Sequence, residues 1–377
     1  MFKNVTCGII GYGYMGEIRR AVIERHSEQL KLIGICDTND VVRDKIHGVK
    51  TFSRLDDLLA EKPGILFVCT PNCFSPEICM KAMDLGIHVF CEKPPGRDVQ
   101  DIKNIISREK KGIKLMFGFN HRFHPGIVKA KVIVDSGRFG RVINLRGLYG
   151  KSGGIQFRKS WRNNREISGG GILLDQGVHM LDLFCHFCGD FEAVKCFTSD
   201  DFWKFEVEDN ALVILQNKKG QSAMCHSSAT FWKHTFRLDI TLEEGYMTVE
   251  GLLSKSGSYG REKLIVASRQ FEDAAHAVGN PSEEVTYFDR DLSWDLEVEE
   301  FIRCILEGKP VTLSSSADAL RVMEVIDRAY QDAVAGLPRN ARGTSAVPAA
   351  PYRPPQSAGG REPASGSPAV NHSLRQD

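Results

Sequence analysis

The fold is decided by the stretch Val5-Thr6-Cys7-Gly8-Ile9-Ile10-Gly11-Tyr12-Gly13-Tyr14-Met15-Gly16. Its first half is an apolar run typical of a buried strand, and the amphipathic segment over residues 15–25 predicts a helix. Three glycines spaced GxGxxG lie at the junction. This motif is weak evidence by itself, but between a strand and a helix it predicts a turn that binds the phosphates of a dinucleotide.

Each residue of this turn has an expected task. Gly11 permits a tight turn, Gly13 lets the backbone approach a pyrophosphate, and Gly16 lets the helix pack closely on the strand. Tyr14 and Met15 lie at the helix N-terminus, where free N–H groups and a partial positive charge favour phosphate. We therefore expect all five residues to contact the cofactor.

Asp37 indicates which dinucleotide binds. It ends the second predicted strand, where a carboxylate can accept hydrogen bonds from both ribose hydroxyls of the adenosine half. A 2′-phosphate there would meet a like charge, and the following Thr38-Asn39 supply no arginine to receive it. The sequence therefore favours NAD over NADP.

The pattern that begins here repeats along the first third of the chain. Short, nearly all-apolar runs alternate with helical segments, which predicts a parallel sheet covered on both faces. The strands are expected at residues 5–10, 31–36, 65–69, 88–91 and 114–119, and the helices at 15–25, 55–61, 76–85 and 99–110. We expect a doubly wound α/β domain over residues 1–122. Thr70 and Asn72 follow its third strand at the edge where such sheets bind ligands, so we expect both to line the cofactor site.

The pattern changes after residue 122. A helix over residues 125–135 precedes runs suited to an antiparallel sheet, at residues 142–149, 193–198, 211–216, 222–230, 236–242 and 246–250. Amphipathic helices over residues 294–306 and 317–333 follow. We expect a second, α+β domain over residues 123–338. Residues 339–377 are rich in Pro, Ala, Gly, Ser and Arg and lack apolar periodicity, which predicts a disordered tail.

Composition excludes several classes of protein. The 377 residues are 42% hydrophobic and 26% charged with a formal net charge of +1, so neither overall disorder nor charge-driven binding to nucleic acid or membrane is expected. No apolar run is long enough to cross a membrane and no secretion signal is recognisable, so we expect a cytoplasmic protein. The eleven cysteines, among them the close pair Cys185 and Cys188, favour reduced core thiols over a metal or redox site.

The fourth predicted strand ends in Glu92-Lys93-Pro94. A proline favours an extended conformation for the residue before it, so Lys93 is expected to project from the carboxyl edge into the cofactor cleft, with Glu92 beside the cofactor. A lysine there can stabilise negative charge as a proton leaves a substrate oxygen. By location alone, a surface lysine without a role is an equal alternative.

A second cluster lies at residues 169–183, which read GGGILLDQGVHMLDL. Asp175 and His179 are four residues apart and so share a face if the segment is helical. Imidazole titrates near neutral pH and a carboxylate neighbour can orient it, which indicates a general acid or base. A buried structural His–Asp pair is an alternative. So is a metal site completed by Asp182, although no HExxH or Cys/His pattern supports a metal and we expect none.

Together these motifs point to a known family. The GxGxxG turn at residues 11–16, Glu92-Lys93-Pro94, Asn120-His121-Arg122-Phe123, Trp161-Arg162 and the cluster at 169–183 resemble the glucose-fructose oxidoreductase, inositol dehydrogenase and MocA (Gfo/Idh/MocA) family over residues 3–335. The resemblance implies a Rossmann domain followed by an α/β domain with an open-faced, mostly antiparallel sheet that often joins homodimers or homotetramers. It also implies NAD(P)-dependent oxidation or reduction of a sugar, a cyclitol or a nucleotide-linked sugar.

The resemblance assigns roles by motif. Lys93, Asp175 and His179 correspond to the catalytic residues: we expect His179 to exchange the hydroxyl proton, Asp175 to orient it and Lys93 to stabilise the oxyanion. The residues that correspond to substrate-binding positions are Asn120, His121, Arg122, Trp161 and Arg162. The stretch 151–168 is also rich in cations, which suit a phosphate, pyrophosphate or carboxylate on the substrate, or equally a solvated or subunit-contacting loop: Lys151, Arg158, Lys159, Arg162 and Arg165.

Two other functions stay open. An NAD-dependent glycosidase on the same scaffold would oxidise its sugar only transiently, so it would form no net NADH. A non-catalytic NAD(H)-binding sensor would need no acid/base groups beside its nicotinamide, and the presence of Lys93, Asp175 and His179 speaks against it.

Overall fold

The computed structural model describes residues 4–153 and 155–336. Within these residues the chain forms two sheets, one of six strands and one of eight. The predicted tail over residues 339–377 lies outside the described residues. Among the described helices, none combines the length and apolarity needed to cross a membrane.

The first sheet is parallel throughout. Its strands are β1 (Val5–Ile10), β2 (Leu30–Cys36), β3 (Thr51–Phe52), β4 (Ile65–Val68), β5 (His88–Cys91) and β6 (Leu115–Phe117). Its helices are α1 (Tyr14–Arg25), α2 (Asp40–Arg43), α3 (Leu55–Ala60), α4 (Ser75–Asp84) and α5 (Val99–Ile106). The strand order is β3-β2-β1-β4-β5-β6, so the predicted doubly wound sheet is confirmed.

Burial on both faces explains the apolar strands. All four residues of β4 are fully buried, because helices cover the sheet on either side. The sequence did not predict α2 or β3. These elements are four and two residues long, too short for a periodic pattern to appear.

The second sheet is mostly antiparallel, as predicted. Its strands are β7 (Val142–Ser152), β8 (Ala193–Ser199), β9 (Asn210–Gln216), β10 (Ser222–Ser228), β11 (Thr230–Leu242), β12 (Gly245–Glu250), β13 (Glu262–Ser268) and β14 (Glu284–Phe288). They run in the order β14-β13-β12-β11-β7-β10-β9-β8, and among the described strands of this sheet only β7 and β10 pair in parallel. The sequence did not predict β13 and β14. The second of these is a five-residue edge strand in which three residues are exposed, so burial gives it little apolar content.

One face of this sheet is open. In β9, Val213 and Leu215 are buried, whereas Leu212 and Ile214 between them are 43% and 52% exposed. Phe197 of β8 lies opposite Leu212 in register and is 71% exposed. The expected open-faced sheet is therefore present.

Five further helices complete the described chain. They are α6 (Pro125–Asp135), α7 (Arg165–Ser168), α8 (Val178–Cys188), α9 (Ser293–Leu306) and α10 (Ser316–Gly336). Short 3-10 turns lie at Asn120–Phe123, Ile155–Lys159 and Trp161–Asn163, and a π-helical turn at Leu173–Gly177 leads directly into α8.

Helix α9 connects the two halves of the chain. Its residues Val298, Phe301 and Ile302 are buried in one apolar cluster with Ile9 and Phe90 of the first sheet. The division of the chain at residue 122 stays a prediction. The core of the first sheet nevertheless includes a helix from near the end of the described chain.

Candidate active site

The glycine-rich turn has the geometry that a dinucleotide requires. Gly11 has a φ of +83°, and a Cβ on it would lie 2.6 Å from the carbonyl oxygen of Cys69. A Cβ on Gly16 would lie 2.3 Å from the carbonyl oxygen of Gly11, so α1 can pack this closely only with glycine there. Beyond its own neighbours, no heavy atom of the described chain lies within 4 Å of a Cβ position on Gly13. The turn is thus open to a pyrophosphate at the N-terminus of α1.

Asp37 lies just beyond β2, next to the turn. Its carboxylate accepts hydrogen bonds from the backbone N–H of Tyr12 at 2.7 Å and of Asn39 at 2.8 Å. Arg43 of α2 donates to the Asp37 carbonyl oxygen and to the Asp40 carboxylate. Arg43 lies six residues beyond Asp37, and α2 folds it back to the strand end, so the two residues after Asp37 do not reveal it.

Thr70, Asn72 and Glu92, the other predicted cofactor residues near the strand ends, each have a hydrogen-bond partner within the protein. Thr70 Oγ1 lies 3.2 Å from Ser75 Oγ, and Asn72 Nδ2 donates to the Ser168 carbonyl oxygen at 2.7 Å. Glu92 Oε1 accepts from the buried guanidinium of Arg19 at 2.7 Å. A contact of Thr70, Asn72 or Glu92 with the cofactor stays a prediction.

Lys93 projects from the end of β5 toward the second domain. Its Nζ donates to the backbone carbonyl oxygen of Asp175 at 2.6 Å and lies 3.8 Å from Asp175 Oδ1. Burial lowers the pKa of Lys93, and the nearby cations Arg162 and Lys151 lower it further, while Asp175 opposes them.

Asp175 lies in the π-helical turn before α8, surrounded by cations. Lys151 Nζ donates to its Oδ2 at 2.9 Å, and Arg162 Nε donates to its Oδ1 at 3.1 Å. Burial by itself would raise the pKa of Asp175. Lys151, Arg162 and Lys93 outweigh burial and hold the pKa well below its usual range. The side chain is therefore an ionised, fully paired carboxylate.

The predicted pairing of Asp175 with His179 is wrong. The described residues contain no hydrogen bond between these two side chains, because the carboxylate is turned to Lys151 and Arg162. His179 instead stacks on His121, with ring centroids 3.7 Å apart and planes 21° apart. Its Nδ1 is buried and has no hydrogen-bond partner in the described chain. Burial lowers the pKa of His179 well below its ordinary value, helped by His121 and Lys93, so the imidazole is neutral.

A single cleft of about 620 Å³ brings these groups together. Tyr14 and Met15 of the glycine-rich turn line it from the first domain, and Lys93 reaches it from β5. The remaining predicted residues that line it are Asn120 and His121 from the 3-10 turn after β6, and Arg162, Asp175 and His179 from the later part of the chain.

Two predicted substrate residues lie elsewhere. Arg122 is buried in an ion pair, with Nη2 2.6 Å from Asp182 Oδ1 and Nη1 3.2 Å from Asp318 Oδ2. This arrangement leaves Asp182 no role in a metal site, and the described residues contain no group of three His, Cys, Asp or Glu side chains arranged to hold a metal. The ring of Trp161 is covered by the guanidinium of Arg162, 4.4 Å from the ring centroid.

Sequence reasoning missed several cleft residues. Tyr149, Gln176 and Tyr259 line the cleft, and Gln176 Nε2 donates to Tyr259 Oη at 2.9 Å. Tyr149 lay in a predicted strand and Gln176 in the predicted catalytic cluster, so both could have been suspected. Tyr259 lies in a loop before β13 that carried no signal at all.

The close pair Cys185 and Cys188 packs into the core. Both thiols are buried on α8, and burial raises their pKa values to about 12. A buried thiol that stays protonated is a poor metal ligand, which agrees with the packing interpretation.

Known proteins match both halves of this chain. Residues 5–119 match the oxidoreductase family with an NAD-binding Rossmann fold, and residues 127–248 match the GFO/IDH/MocA C-terminal domain. D-glucoside 3-dehydrogenase of Escherichia coli (strain K12) is 26% identical over 353 residues, which cover 87% of this chain and 95% of that protein.

Solved structures share the fold. Levoglucosan dehydrogenase in complex with NADH and levoglucosan has a TM-score of 0.78 at 20% identity, covering 88% of this chain and 98% of that one. The WlbA dehydrogenase from Bordetella pertussis, in complex with NADH and UDP-GlcNAcA, has a TM-score of 0.74 at 22% identity and covers 89% of this chain and 98% of that one. With both domains matched in this order, the chain belongs to the Gfo/Idh/MocA family of NAD-binding oxidoreductases.

Proposed function

We propose that this protein transfers a hydride between NAD and a secondary alcohol or ketone of a sugar. One observation carries the proposal: the cleft that Tyr14 and Met15 line also contains Lys93 and the buried His179. The open backbone at Gly13 and the carboxylate of Asp37 suit the pyrophosphate and the adenosine ribose of NAD. When bound there, NAD supplies the hydride acceptor for oxidation.

Two residues of the cleft suit the two tasks of the reaction, removal of the proton and stabilisation of the negative charge. Oxidation of an alcohol requires a base within hydrogen-bond reach of the hydroxyl. His179 suits this task because its ring is neutral and lies in the cleft. Lys93 suits the stabilisation of negative charge on the same oxygen, because a buried ammonium acts there in a low dielectric. The backbone carbonyl of Asp175 orients Lys93 through the 2.6 Å hydrogen bond.

The charge of the cleft favours a substrate with an anionic group. Lys93, Lys151 and Arg162 surround the carboxylate of Asp175. The lining also includes Lys255 and Asp291, so the cleft has an excess of positive charge. The names of the relatives cover both neutral and anionic sugars: a glucoside, levoglucosan and UDP-GlcNAcA. We infer that a sugar acid or a nucleotide-linked sugar is accepted at least as well as a neutral sugar.

A substrate screen tests this function. Purified protein is incubated with NAD and a panel of neutral glycosides, sugar acids and nucleotide-linked sugars, while NADH is followed by absorbance. We expect net NADH formation with at least one member, and better turnover with an anionic one. Cleavage of a glycoside without net NADH would instead indicate the glycosidase, and tight NAD binding without any conversion would indicate the sensor.

The remaining expectations concern the partner and the compartment. The apolar row of Phe197, Leu212 and Ile214 on the open sheet face supports a homodimer or homotetramer formed through this face. Light scattering on the wild type and on Phe197→Glu would test it, with a smaller particle expected for the variant.

The eleven free cysteines support a reducing compartment, and we propose the cytoplasm.

A further inference from the structure

A stack of two histidines lies at the centre of the cleft. His121 is 4% exposed, and its ring covers that of His179 face to face, with 3.7 Å between the centroids. The two residues come from separate parts of the chain, the 3-10 turn after β6 and helix α8. Because Nδ1 of His179 has no hydrogen-bond partner in the described chain, hydrogen bonding at that nitrogen does not hold the ring in place. The stack supplies that constraint.

Hydrogen bonds at both nitrogens fix the His121 ring itself. Its Nδ1 lies 3.1 Å from Asn120 Oδ1, and its Nε2 lies 3.1 Å from the hydroxyl of Tyr149. Asn120 in turn donates from Nδ2 to Ser293 Oγ at 3.2 Å, and Ser293 Oγ donates to Asp291 Oδ1 at 2.7 Å.

The donor and the acceptor of each hydrogen bond in this series can be assigned in only one way. A carboxylate only accepts, so the proton of Ser293 points to Asp291, and the oxygen of Ser293 accepts from the Asn120 amide. The oxygen of that amide is then left to accept from His121 Nδ1–H. In a neutral ring, His121 Nε2 therefore carries a lone pair that accepts from the Tyr149 hydroxyl.

We propose that His121 is a positioning residue: held as the Nδ1–H tautomer by this series of hydrogen bonds, it fixes the plane of the His179 ring, and a proton taken up by either ring disfavours a proton on the other. The inference rests on the proposed function, in which neutral His179 receives the substrate proton. Burial, together with His124 and Lys93, lowers the pKa of His121, which keeps the stacked pair neutral at working pH.

Other charged and titratable groups face the pair from every side. They are Lys93 after β5, His124 before α6 with its partner Glu262 on β13, Tyr149 and Lys151 on β7, Arg162 in the 3-10 turn, Asp175 in the π-helical turn, Tyr259 before β13 and Asp291 before α9. A proton on His121 would repel a proton on His179 across the stack, and after burial this repulsion is the largest cause that lowers the pKa of His179. The effect of its charge should therefore be separable by mutation.

The test uses the whole protein and the variant His121→Phe. Phenylalanine preserves the flat ring and the burial but can carry no charge. We expect the pKa of His179 to rise, because repulsion from a proton on His121 is lost, and the acidic limb of the kcat/KM profile to move to higher pH by the same amount. Histidine-selective ¹⁵N NMR reports the ring directly, with the His179 signals assigned by their loss in His179→Asn.

The matched control is His186→Phe, which replaces a histidine on the same helix outside the cleft. It should leave the His179 titration and the pH profile unchanged. If His121→Phe also leaves both unchanged, His121 does not act through His179 and the inference is overturned, although the proposed function stands. If wild-type protein forms no NADH with any sugar, the proposed function fails, and the NMR titration still decides the inference.

The wild-type spectrum gives a second, independent test. We expect His121 as a single neutral tautomer with the proton on Nδ1, and we expect Tyr149→Phe to keep that tautomer, because the hydrogen bonds through Asn120, Ser293 and Asp291 set it. A wild-type His121 protonated on Nε2 would overturn the proposed hydrogen-bond chain, whether or not His121→Phe folds.

Discussion

At the scale of single residues, the role of a carboxylate depends on its hydrogen-bond partners. Asp37 accepts one backbone N–H bond from Tyr12, which ties it to the glycine-rich turn, and another from the nearby Asn39. Asp37→Ala should weaken NADH binding by roughly ten- to a hundred-fold, because charge-assisted hydrogen bonds are lost. It should also narrow the preference for NADH over NADPH, since the repulsion of a 2′-phosphate disappears. Calorimetric titration with both cofactors measures the two effects.

The exposed Asp40→Ala is the control for Asp37, since Asp40 follows β2 without bonding to the turn. It should change neither affinity by more than about two-fold, in line with other exposed positions. An unchanged ratio of NADH to NADPH affinity in Asp37→Ala would contradict the role assigned to this carboxylate.

The two proposed proton-handling residues form a second prediction at this scale. His179→Ala and Lys93→Met should each lower kcat by roughly 10²- to 10⁴-fold, the usual contribution of a general acid or base. Cofactor affinity should stay nearly intact, because neither side chain belongs to the glycine-rich turn. Single-turnover hydride transfer and an NADH titration separate the two effects. Near-wild-type rates in both variants would move the reaction site elsewhere.

At the scale of elements, Glu208 holds the segment that carries Asp175 and His179. Its carboxylate accepts from the backbone N–H of Gly171 at 3.0 Å and of Leu173 at 3.1 Å, and from the Tyr330 hydroxyl of α10 at 2.8 Å. The carboxylate thus caps the start of the π-helical turn. Sequence patterns could predict a helix here but not its wider first turn, because the cap lies about 35 residues further along the chain.

Removal of one accepting oxygen should loosen this segment. Glu208→Gln leaves a buried N–H or hydroxyl without an acceptor, so we expect a loss of about 1–3 kcal/mol in the free energy of unfolding. Asp201→Asn, an exposed carboxylate on the same loop, should cost less than about 0.5 kcal/mol. Urea denaturation compares the two, and equal midpoints would show that Glu208 does not support the segment.

At the scale of the whole molecule, one buried arginine connects distant parts of the chain. Arg19 of α1 is fully buried, with Nη2 2.6 Å from Glu92 Oε1 and Nη1 2.6 Å from Glu297 Oε1 on α9. Its guanidinium also lies over the rings of Phe90 and Trp294. Burial raises the pKa of Glu297, while Arg19 opposes that rise.

Arg19→Met should destabilise the protein strongly. Two buried carboxylates would lose their counter-ion, so we expect a loss of about 3–5 kcal/mol in the free energy of unfolding. Arg25→Met breaks the exposed pair with Asp295 between the same two helices and should cost less than about 1 kcal/mol. Thermal and urea unfolding measure both. A similar small loss in the two variants would show that the buried cluster does not connect α1 to α9.

The sequence by itself determined the features that are local in the chain. The strand, the glycines and the helix of residues 5–25 are contiguous, so their pattern predicts both the parallel sheet and the dinucleotide turn. The alternation of apolar runs likewise predicts most strands of both sheets, and the motifs around Lys93 and His179 identify the family. Local backbone preference and local burial carry all of this information.

Only the tertiary structure decided which distant groups meet. It paired Asp175 with Lys151 and Arg162 instead of His179, placed His121 against His179, and buried Arg122 between two carboxylates. It also packed α9, which lies near the end of the described chain, into the core of the first sheet. No sequence period encodes these contacts, because each depends on charge balance and packing between elements that lie far apart in the chain.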